Sequence, residues 1–453
     1  MSYRPPAPIP LSKRPGAIPL LFGLWRNPLS ICGDRHFVEP IVSEKTVIGQ
    51  INIVSSPEGV HHVLVANADN YPKDRRQLRI LQPGLRTGLL TSSGDTWKMA
   101  RHALAPLFTP SAVEAQANVM LQCSQRMVQR LSQYDDGQLL DMSAELARVT
   151  FEIISSMLFS EETQTDSVEF SAALTRYFNS AGRIDPLDAL GAPDWVPRPG
   201  VCRARKAIKF FEALAEKIIA RRRADMAKGR APRDLVTMLL EARDPRTSMG
   251  LSEADVAGSI ITFVGAGHET TANTLAWTLF LLARHPSVLS AVEAEIDSCH
   301  SEDVARWPEQ LVLTRAVVNE AMRLYPPAPI MSRIAAVADE ILGVKISRGS
   351  TVIIAPYIIH RHHSLWERPD YFHPQRFLPS EKDKIVPYAF LPFGAGPRVC
   401  IGQRLSQVEA VIVLATLLRS FRFSLPGDSE SFPVHRVTLR PVPNIMMQVS
   451  VRR

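Results

Sequence analysis

The stretch FGAGPRVCIG, residues 393–402, is the most informative part of the sequence. It contains three glycines and Cys400, one of only five cysteines in a chain of 453 residues. Glycines allow tight turns that bring backbone N–H groups close to a ligand. An apolar helix is predicted just after the cysteine, and the N–H groups at a helix start stabilise a thiolate. The pattern predicts one thiolate, held by backbone amides and facing a large flat group.

The same stretch has two simpler interpretations. One is a buried structural cysteine beside a glycine-rich turn, which is the ordinary role of a lone cysteine. The other is a phosphate-binding loop of the form G-x-G-x-x-G. Gly394 and Gly396 match its first two positions, but Val399 occupies the last one, which excludes that loop.

A second informative stretch lies within a predicted long helix. Ser252 and Asp255 form a capping-box-like start, and His285-Pro286 ends the apolar run. A helix of this length measures roughly 48 Å at 1.5 Å per residue, enough to cross a whole domain. Its middle reads VGAGHETTAN, residues 264–273. Two glycines there each cost about 1 kcal/mol relative to alanine, so the segment serves more than helix formation.

Six residues of the first stretch together resemble the haem-binding signature of the cytochrome P450 family. They are Phe393, Gly394, Gly396, Arg398, Cys400 and Gly402. The resemblance implies haem b (iron protoporphyrin IX) as cofactor, with Cys400 as the axial ligand of the haem iron and Phe393 and Gly394 beside the cofactor. A thiolate ligand pushes electron density onto the iron and favours O–O cleavage.

The segment GAGHET, residues 265–270, is similar to the oxygen-activation motif of the same family. By resemblance, Ala266 and Gly267 leave space beside the haem for O2. Glu269 and Thr270 are then the catalytic acid–alcohol pair that delivers the protons needed to reduce it. Taken by itself, the segment is also consistent with a packing glycine pair and a solvent-facing Glu269.

The pair Glu320 and Arg323 resembles the family's ExxR motif, and YFHPQRF supplies Arg376 at the family's third position. Residues at i and i+3 share a helix face. The resemblance implies a buried structural network that holds the segment before the cysteine loop. An ordinary surface ion pair, worth well under about 1 kcal/mol, is the alternative interpretation of Glu320 and Arg323.

Four further residues resemble positions that hold the haem propionates. Trp97 and Arg101 match a WxxxR motif, in which both side chains lie on one helix face. Arg398, two residues before the predicted ligand, matches another propionate position, and Arg333 is placed similarly after the ExxR helix. The alternative for each arginine is a solvated surface charge.

The resemblance covers about residues 45–450 and implies the cytochrome P450 fold, mainly α with a minor β lobe. We expect a single haem-thiolate monooxygenase domain over residues 1–453. Its β-rich lobe comes mainly from 45–70, 340–358 and 430–452, and its helical lobe from about 95–425. Apolar periodicity predicts helices over 111–132, 138–160, 165–180, 203–228, 308–325 and 404–421.

Composition limits the partners and the compartment. The net charge is +7, but no dense Lys/Arg run or nucleic-acid motif is present, so we expect no nucleic-acid partner. The five cysteines are far apart and form no CxxC pair, which is typical of reduced thiols in the cytoplasm. The apolar run 17–25 is too short to span a bilayer, so we expect no transmembrane segment. Peripheral membrane contact through that run stays open.

The resemblance implies monooxygenation, in which one atom of O2 enters a lipophilic organic substrate and the other is reduced to water. Electrons are expected from a separate ferredoxin or flavodoxin-type donor with its reductase. The basic charge suits an acidic donor, and Lys98 and Arg404 are candidate contacts. A peroxide-using haem-thiolate enzyme and a non-enzymatic haem-binding sensor are the alternatives.

Family topology suggests a mostly apolar substrate pocket, and therefore a fatty acid, terpenoid or steroid-like substrate. The expected contributions come from the loop 76–90, Phe178, residues 261–266, Ile330, Met331 and residues 437–439. Arg76, Arg79 and Arg86 either anchor a substrate carboxylate at the mouth of this pocket or are solvated loop charges.

Overall fold

A helix of 31 residues, Glu253–Ala283, runs through the middle of the computed structural model, as the sequence predicts. Ser252 begins it with the predicted capping box. The Ser252 hydroxyl accepts the Asp255 N–H at 3.2 Å, and the Asp255 carboxylate accepts the Ser252 N–H at 3.2 Å. Nearly every residue of the helix is buried, so it is stabilised by packing on all sides rather than along one stripe.

The structure describes residues 3–13, 15–46, 49–159, 167–193, 195–244 and 247–452. The α-helices in these ranges are α1 Ala17–Arg26, α2 Pro57–His61, α3 Arg75–Leu85, α4 Gly94–Leu104, α5 Pro110–Glu114, α6 Ala117–Leu131, α7 Met142–Phe159, α8 Ser167–Ser180, α9 Pro186–Ala189, α10 Pro199–Ala227, α11 Leu235–Glu241, α12 Glu253–Ala283, α13 Pro286–Ser298, α14 Trp307–Gln310, α15 Val312–Leu324, α16 Pro356–Ile359, α17 Pro379–Lys382 and α18 Gln403–Ser420.

The β-strands are short and form small sheets. They are β1 Ile41–Thr46, β2 Gly49–Val54, β3 Gln138–Asp141, β4 Met331–Ile334, β5 Asp339–Ile341, β6 Val344–Ile346, β7 Thr351–Ile354, β8 Phe421–Ser424, β9 Phe432–His435, β10 Leu439–Val442 and β11 Met446–Val451. One sheet has the order β1-β2-β7-β4, with β2 and β7 parallel. The last strands form separate sheets, β3-β11-β8 and β10-β9. The predicted class, mainly α with a minor β component, is confirmed.

The largest core cluster surrounds α12 and joins it to α7, α15 and α18. Trp277 of α12 stacks on Tyr325, which directly follows α15, with ring centroids 3.8 Å apart and planes 14° apart. Thr271 of α12 and Ser406 of α18 have their hydroxyl oxygens 3.1 Å apart. Since α18 begins just after Cys400, this packing positions the cysteine loop opposite the middle of α12.

Four segment predictions are wrong in part. The helix predicted over 111–132 is interrupted at residues 115–116, between α5 and α6. Residues 138–141 form strand β3 rather than the start of a helix, because they pair with β11. The expected loop 76–90 is helical over Arg75–Leu85, where the Asp74 carboxylate accepts the Arg76 N–H at 2.8 Å as an N-cap.

The helix predicted over 308–325 is broken at Leu311 into α14 and α15. Glu295 of α13 accepts the N–H groups of Leu313 and Thr314 at 2.6 and 2.8 Å. Its carboxylate therefore satisfies the free donors at a second helix start, which a sequence pattern does not reveal.

Among the described residues, no single helix is both long and apolar enough to cross a membrane. The pair α12 and α13, bent by 115°, meets the length and composition criteria together.

Glu409 of α18 is a buried carboxyl group, and burial raises its pKa well above the usual value near 4.5. The folded chain therefore keeps a proton that the unfolded chain releases, and stability falls by about 1.4 kcal/mol per pH unit above the unfolded pKa. We predict that Glu409→Gln removes this loss, so that its stability advantage over the wild type grows from pH 5 to pH 8 in urea unfolding. Glu216→Gln, at an exposed position of α10, is the control. An advantage that does not change with pH contradicts a protonated Glu409.

Candidate active site

The loop that carries Cys400 is held in shape by its glycines. Gly394 and Gly396 both have φ of +71°, a conformation that side chains with a Cβ rarely adopt. A Cβ at Gly396 would lie 1.8 Å from the carbonyl oxygen of Leu64, so only glycine fits that close approach. The Cys400 N–H donates to the carbonyl of Phe393 at 3.0 Å and closes the loop.

The Cys400 thiol lies inside the protein but remains accessible. Burial is the largest influence on it and raises its pKa, whereas the Gly402 N–H and the Arg101 charge act in the opposite direction. The side chain is nevertheless exposed. The sulfur therefore faces an internal space. The Gly402 N–H provides one of the backbone hydrogen bonds that the sequence predicts for the sulfur.

The middle of α12 contains the only accessible positions between Val256 and Leu282. They are Ala266, Gly267 and Thr270. The Thr270 hydroxyl donates to the Ala266 carbonyl at 2.7 Å, one turn earlier in the same helix. A Cβ at Gly267 would lie 2.9 Å from Cδ1 of Ile154, at the end of a side chain on α7, so close packing favours glycine there.

Glu269 is buried and points away from Thr270, toward strand β10. Its Oε1 accepts the Thr438 hydroxyl at 2.5 Å and pairs with the Arg440 guanidinium. Its Oε2 is buried without a hydrogen-bond partner in the described part of the chain. Sequence analysis did not identify Arg440, because 171 residues separate it from Glu269.

Three of the predicted propionate residues meet beside the cysteine loop. Arg101 donates to the Val399 carbonyl at 2.8 Å, next to Cys400. Arg398 donates to the Ser92 carbonyl at 3.0 Å and stacks on Trp97, with its guanidinium carbon 3.7 Å from the ring centroid. The WxxxR residues and Arg398 therefore form one group, as the resemblance implies.

Two more cations join this group, and sequence analysis identified only one of them. Burial and the neighbouring charges of Arg398 and Arg333 lower the pKa of Lys73 to about 7. Lys73 donates to the Leu90 carbonyl and forms an isolated β-bridge with Arg333. Burial lowers the pKa of Arg333, and burial followed by repulsion from Arg333 and Arg101 lowers that of Arg398 to about 10.

These four cations fit the propionates of haem. Within the described ranges, no carboxylate forms an ion pair with Lys73, Arg101, Arg333 or Arg398. Clustered, partly buried cations require an anionic partner, because burial and mutual repulsion both disfavour their charge. A group with two carboxylates and a flat body, next to an accessible thiol and facing Thr270, meets that requirement.

The ExxR pair is completely buried. Arg323 and Glu320 make two bonds of 2.7 Å, and the side chains of both have 0% exposure. Arg323 also donates to the carbonyls of His360 and Pro369 at 2.7 Å and of Tyr371 at 3.0 Å. All five of its N–H donors are used, which excludes the surface ion pair as an interpretation.

The third member of the network approaches Glu320 more loosely. Arg376 Nε lies 3.6 Å from Glu320 Oε1, which also accepts the His373 N–H at 2.8 Å. His360 extends the network, because its Nε2 accepts the Leu391 N–H at 2.8 Å, two residues before Phe393. Burial, then the Arg323 charge, lowers the pKa of His360 to about 3 and keeps this nitrogen free to accept.

The three arginines near the expected pocket mouth already have protein partners. Arg76 donates to the Thr351 hydroxyl at 2.9 Å. Arg79 pairs with Asp188 at 2.9 Å, and Arg86 pairs with Glu212 at 2.6 Å. Arg76 and Arg79 connect α3 to β7 and α9, and Arg86, which directly follows α3, contacts α10.

A family model described as Cytochrome P450 matches residues 19–449. The chain is similar to cyclooctat-9-en-7-ol 5-monooxygenase of Streptomyces melanosporofaciens, with 28% identity covering 94% of this chain and 93% of that protein. It is 26% identical to pentalenene oxygenase of Streptomyces avermitilis, with 97% of each covered. It is 28% identical to carotene epsilon-monooxygenase of Arabidopsis thaliana, covering 88% and 77%.

The contribution of Lys73 to haem binding can be measured. Lys73→Met removes one positive charge from the expected propionate contacts, and we predict that haem transfer to excess apomyoglobin becomes roughly tenfold faster. Lys98→Met, at an exposed position of α4, is the matched control and leaves the rate unchanged. Equal transfer rates for both variants would show that Lys73 does not contact the cofactor.

Proposed function

The chain belongs to the cytochrome P450 family, and on that premise we propose its substrate class, proton route and electron donor. It binds haem and is an oxidoreductase that incorporates oxygen from O2. When bound, the haem supplies the binding and reductive activation of O2. We further propose that residues 1–453 form one monooxygenase domain.

One observation supports the assignment of residues. Only Ala266, Gly267 and Thr270 are accessible along the buried part of α12, and packing through Thr271 and Ser406 positions this part opposite the Cys400 loop. We infer that Cys400 is the iron ligand. In this assignment Lys73, Arg101, Arg333 and Arg398 hold the propionates, with Trp97 supporting Arg398.

The proton route depends on Thr270 and Glu269. Thr270 has a hydroxyl in the accessible part of α12, where it can hold a proton next to the reacting oxygen. The Glu269 carboxylate accepts the Thr438 hydroxyl and pairs with the Arg440 guanidinium. Its free oxygen, Oε2, is the one available to accept or pass a proton. We propose that Glu269 supplies protons to Thr270 after it turns from β10.

The proposed substrate is a lipophilic terpenoid or related molecule. The expected contacts Ile330, Met331 and Val437 are apolar residues that retain accessible surface. The names of the relatives refer to a cyclooctatenol, to pentalenene and to carotene. Because a hydrophobic pocket discriminates weakly between similar apolar groups, the exact substrate requires a binding screen.

We propose a separate ferredoxin- or flavodoxin-type donor that docks near α4. Lys98 is exposed on this helix. Arg404, the other candidate from the sequence, pairs with Glu114 and so offers less free charge to a partner. Electrostatic attraction between a basic face and an acidic donor raises the association rate.

The proton route is tested by Thr270→Ala. Loss of the hydroxyl interrupts proton delivery, and we predict roughly tenfold less product per NAD(P)H consumed, with peroxide released instead. Thr278→Ala is the control, because that buried hydroxyl donates within α12, to the Thr274 carbonyl at 2.7 Å. The reduced-CO difference spectrum checks that each variant keeps thiolate-ligated haem, and Cys400→His should lose that band.

Unchanged coupling in Thr270→Ala contradicts the proton route. Wild-type turnover with hydrogen peroxide, but not with O2 and a donor, favours the peroxide-using alternative. Thiolate-ligated haem with no oxidation of any lipophile under either condition favours a sensor.

The docking site is tested by Lys98→Glu. Charge reversal weakens attraction to an acidic donor, so we predict a roughly tenfold slower electron transfer at low salt and a smaller dependence on ionic strength. Lys45→Glu, exposed on β1, makes the same charge change on the β-sheet. The same loss in both variants would indicate a net-charge effect and not a docking site.

A further inference from the structure

Three arginines lie together between α1, the end of α8 and the β9–β10 turn. The Arg183 guanidinium carbon is 4.7 Å from the Trp25 ring centroid. The corresponding carbon of Arg440 is 4.9 Å from the ring of Phe178, on α8. Arg436, in the turn, donates to the carbonyls of Arg26 at 2.7 Å and His435 at 3.0 Å. We call Arg183, Arg436 and Arg440 the arginine cluster.

The arginine cluster carries more positive charge than its neighbours balance. Glu269 pairs with Arg440, so three cations face one carboxylate. In the part of the chain that the structure describes, neither Arg183 nor Arg436 forms an ion pair with an acidic residue. Burial, followed by repulsion from Arg183 and Arg440, lowers the pKa of Arg436 to about 10. Two positive charges thus remain without a counter-charge among the described residues.

Polar atoms at the same place lack partners. The Nε of Arg183 and the Nδ1 of His435 are buried without a hydrogen-bond partner among the described residues. Burial, then the Arg436 charge, lowers the pKa of His435 to about 4, so its ring is neutral at pH 7. Buried polar atoms of this kind are normally satisfied, and the Arg183 Nε–H, which can only donate, indicates a missing acceptor.

The arginine cluster adjoins both apolar surface and the proposed active site. Phe178 and Trp25 present rings to two of the arginines. Thr438, two residues after Arg436, bonds to Glu269 of α12, next to Thr270 along the helix although the two side chains face different directions. A ligand that reaches from the arginines to Thr270 therefore needs an anionic end and an apolar body.

We propose that Arg183 and Arg436 bind the carboxylate of a lipophilic acid, so that its apolar part extends toward Thr270. This inference rests on the proposed function and narrows its substrates to lipophilic carboxylic acids. It also moves the carboxylate anchor away from Arg86, whose charge Glu212 balances, and from Arg79, which shares Asp188 with Arg198.

The test compares acids with their methyl esters on the haem-loaded protein. Dodecanoate and farnesoate are each titrated beside the matching ester. Binding is measured by the Soret shift, which needs a ligand at the haem, and by calorimetry, which detects binding anywhere. We expect each acid to bind roughly tenfold more tightly than its ester, because the charge-assisted bonds are made only by the carboxylate.

Substitutions of Arg436 and Arg183 test whether these two residues cause the preference for acid over ester. Arg436→Gln and Arg183→Gln should reduce the acid-to-ester preference to about one and leave ester binding unchanged, whereas Arg183→Lys should keep most of it. Arg86→Gln is the matched control and keeps the full preference. Ester binding in each variant also shows that the pocket is folded.

Three results would overturn the inference. The first is equal affinity for acid and ester in the wild type, and the second is a preference that survives Arg436→Gln and Arg183→Gln. The third is calorimetric binding of acids without a Soret shift, because the acid then lies elsewhere. If esters bind and are oxidised, the proposed function stands while the anchor fails. If no lipophile shifts the Soret band or is oxidised, the proposed function itself fails.

Discussion

The buried ion pair between Glu320 and Arg323 constrains the elements around Cys400 more than any other contact. Removing two charges from water is costly unless every remaining donor and acceptor is bonded. Arg323 meets that condition by donating to backbone carbonyls at His360, Pro369 and Tyr371. His360 continues the chain of bonds to the Leu391 N–H, just before the cysteine loop. The bonds that compensate the desolvation of Glu320 and Arg323 therefore also hold the segment that leads into the cysteine loop.

Beside the cysteine loop, in contrast to the Glu320–Arg323 pair, positive side chains lie together without a negative partner among the described residues. They are Lys73, Arg333 and Arg398. Burial lowers the pKa of each, and repulsion from neighbouring arginines lowers those of Lys73 and Arg398 further. Such a group is unfavourable by itself and becomes favourable when an anionic ligand binds. The ExxR pair is satisfied within the protein, whereas the cation group is suited to a cofactor.

Glu269 shows how the surrounding structure changes the meaning of a motif. Its position beside Thr270 in sequence suggests a relay of adjacent side chains. On a helix, however, successive residues point about 100° apart, so neighbours in sequence face different surroundings. Thr270 faces the accessible space, and Glu269 faces Arg440 and Thr438 of the β9–β10 region. The same region contains Arg436, which links the proton route to the proposed substrate anchor.

The sequence by itself determined the mainly helical class, the capping box of α12, and the motif residues around Cys400, Thr270 and Glu320. These depend on local spacing, and helix faces and tight turns are local properties. Only the tertiary structure decided the roles of Lys73, His360 and Arg440, as well as the helix over 75–85. The partners of these three side chains are distant in sequence. The charges around each side chain therefore depend on how the folded chain brings these partners together. Burial and pairing are properties of the folded surroundings, which no pattern of neighbouring residues contains.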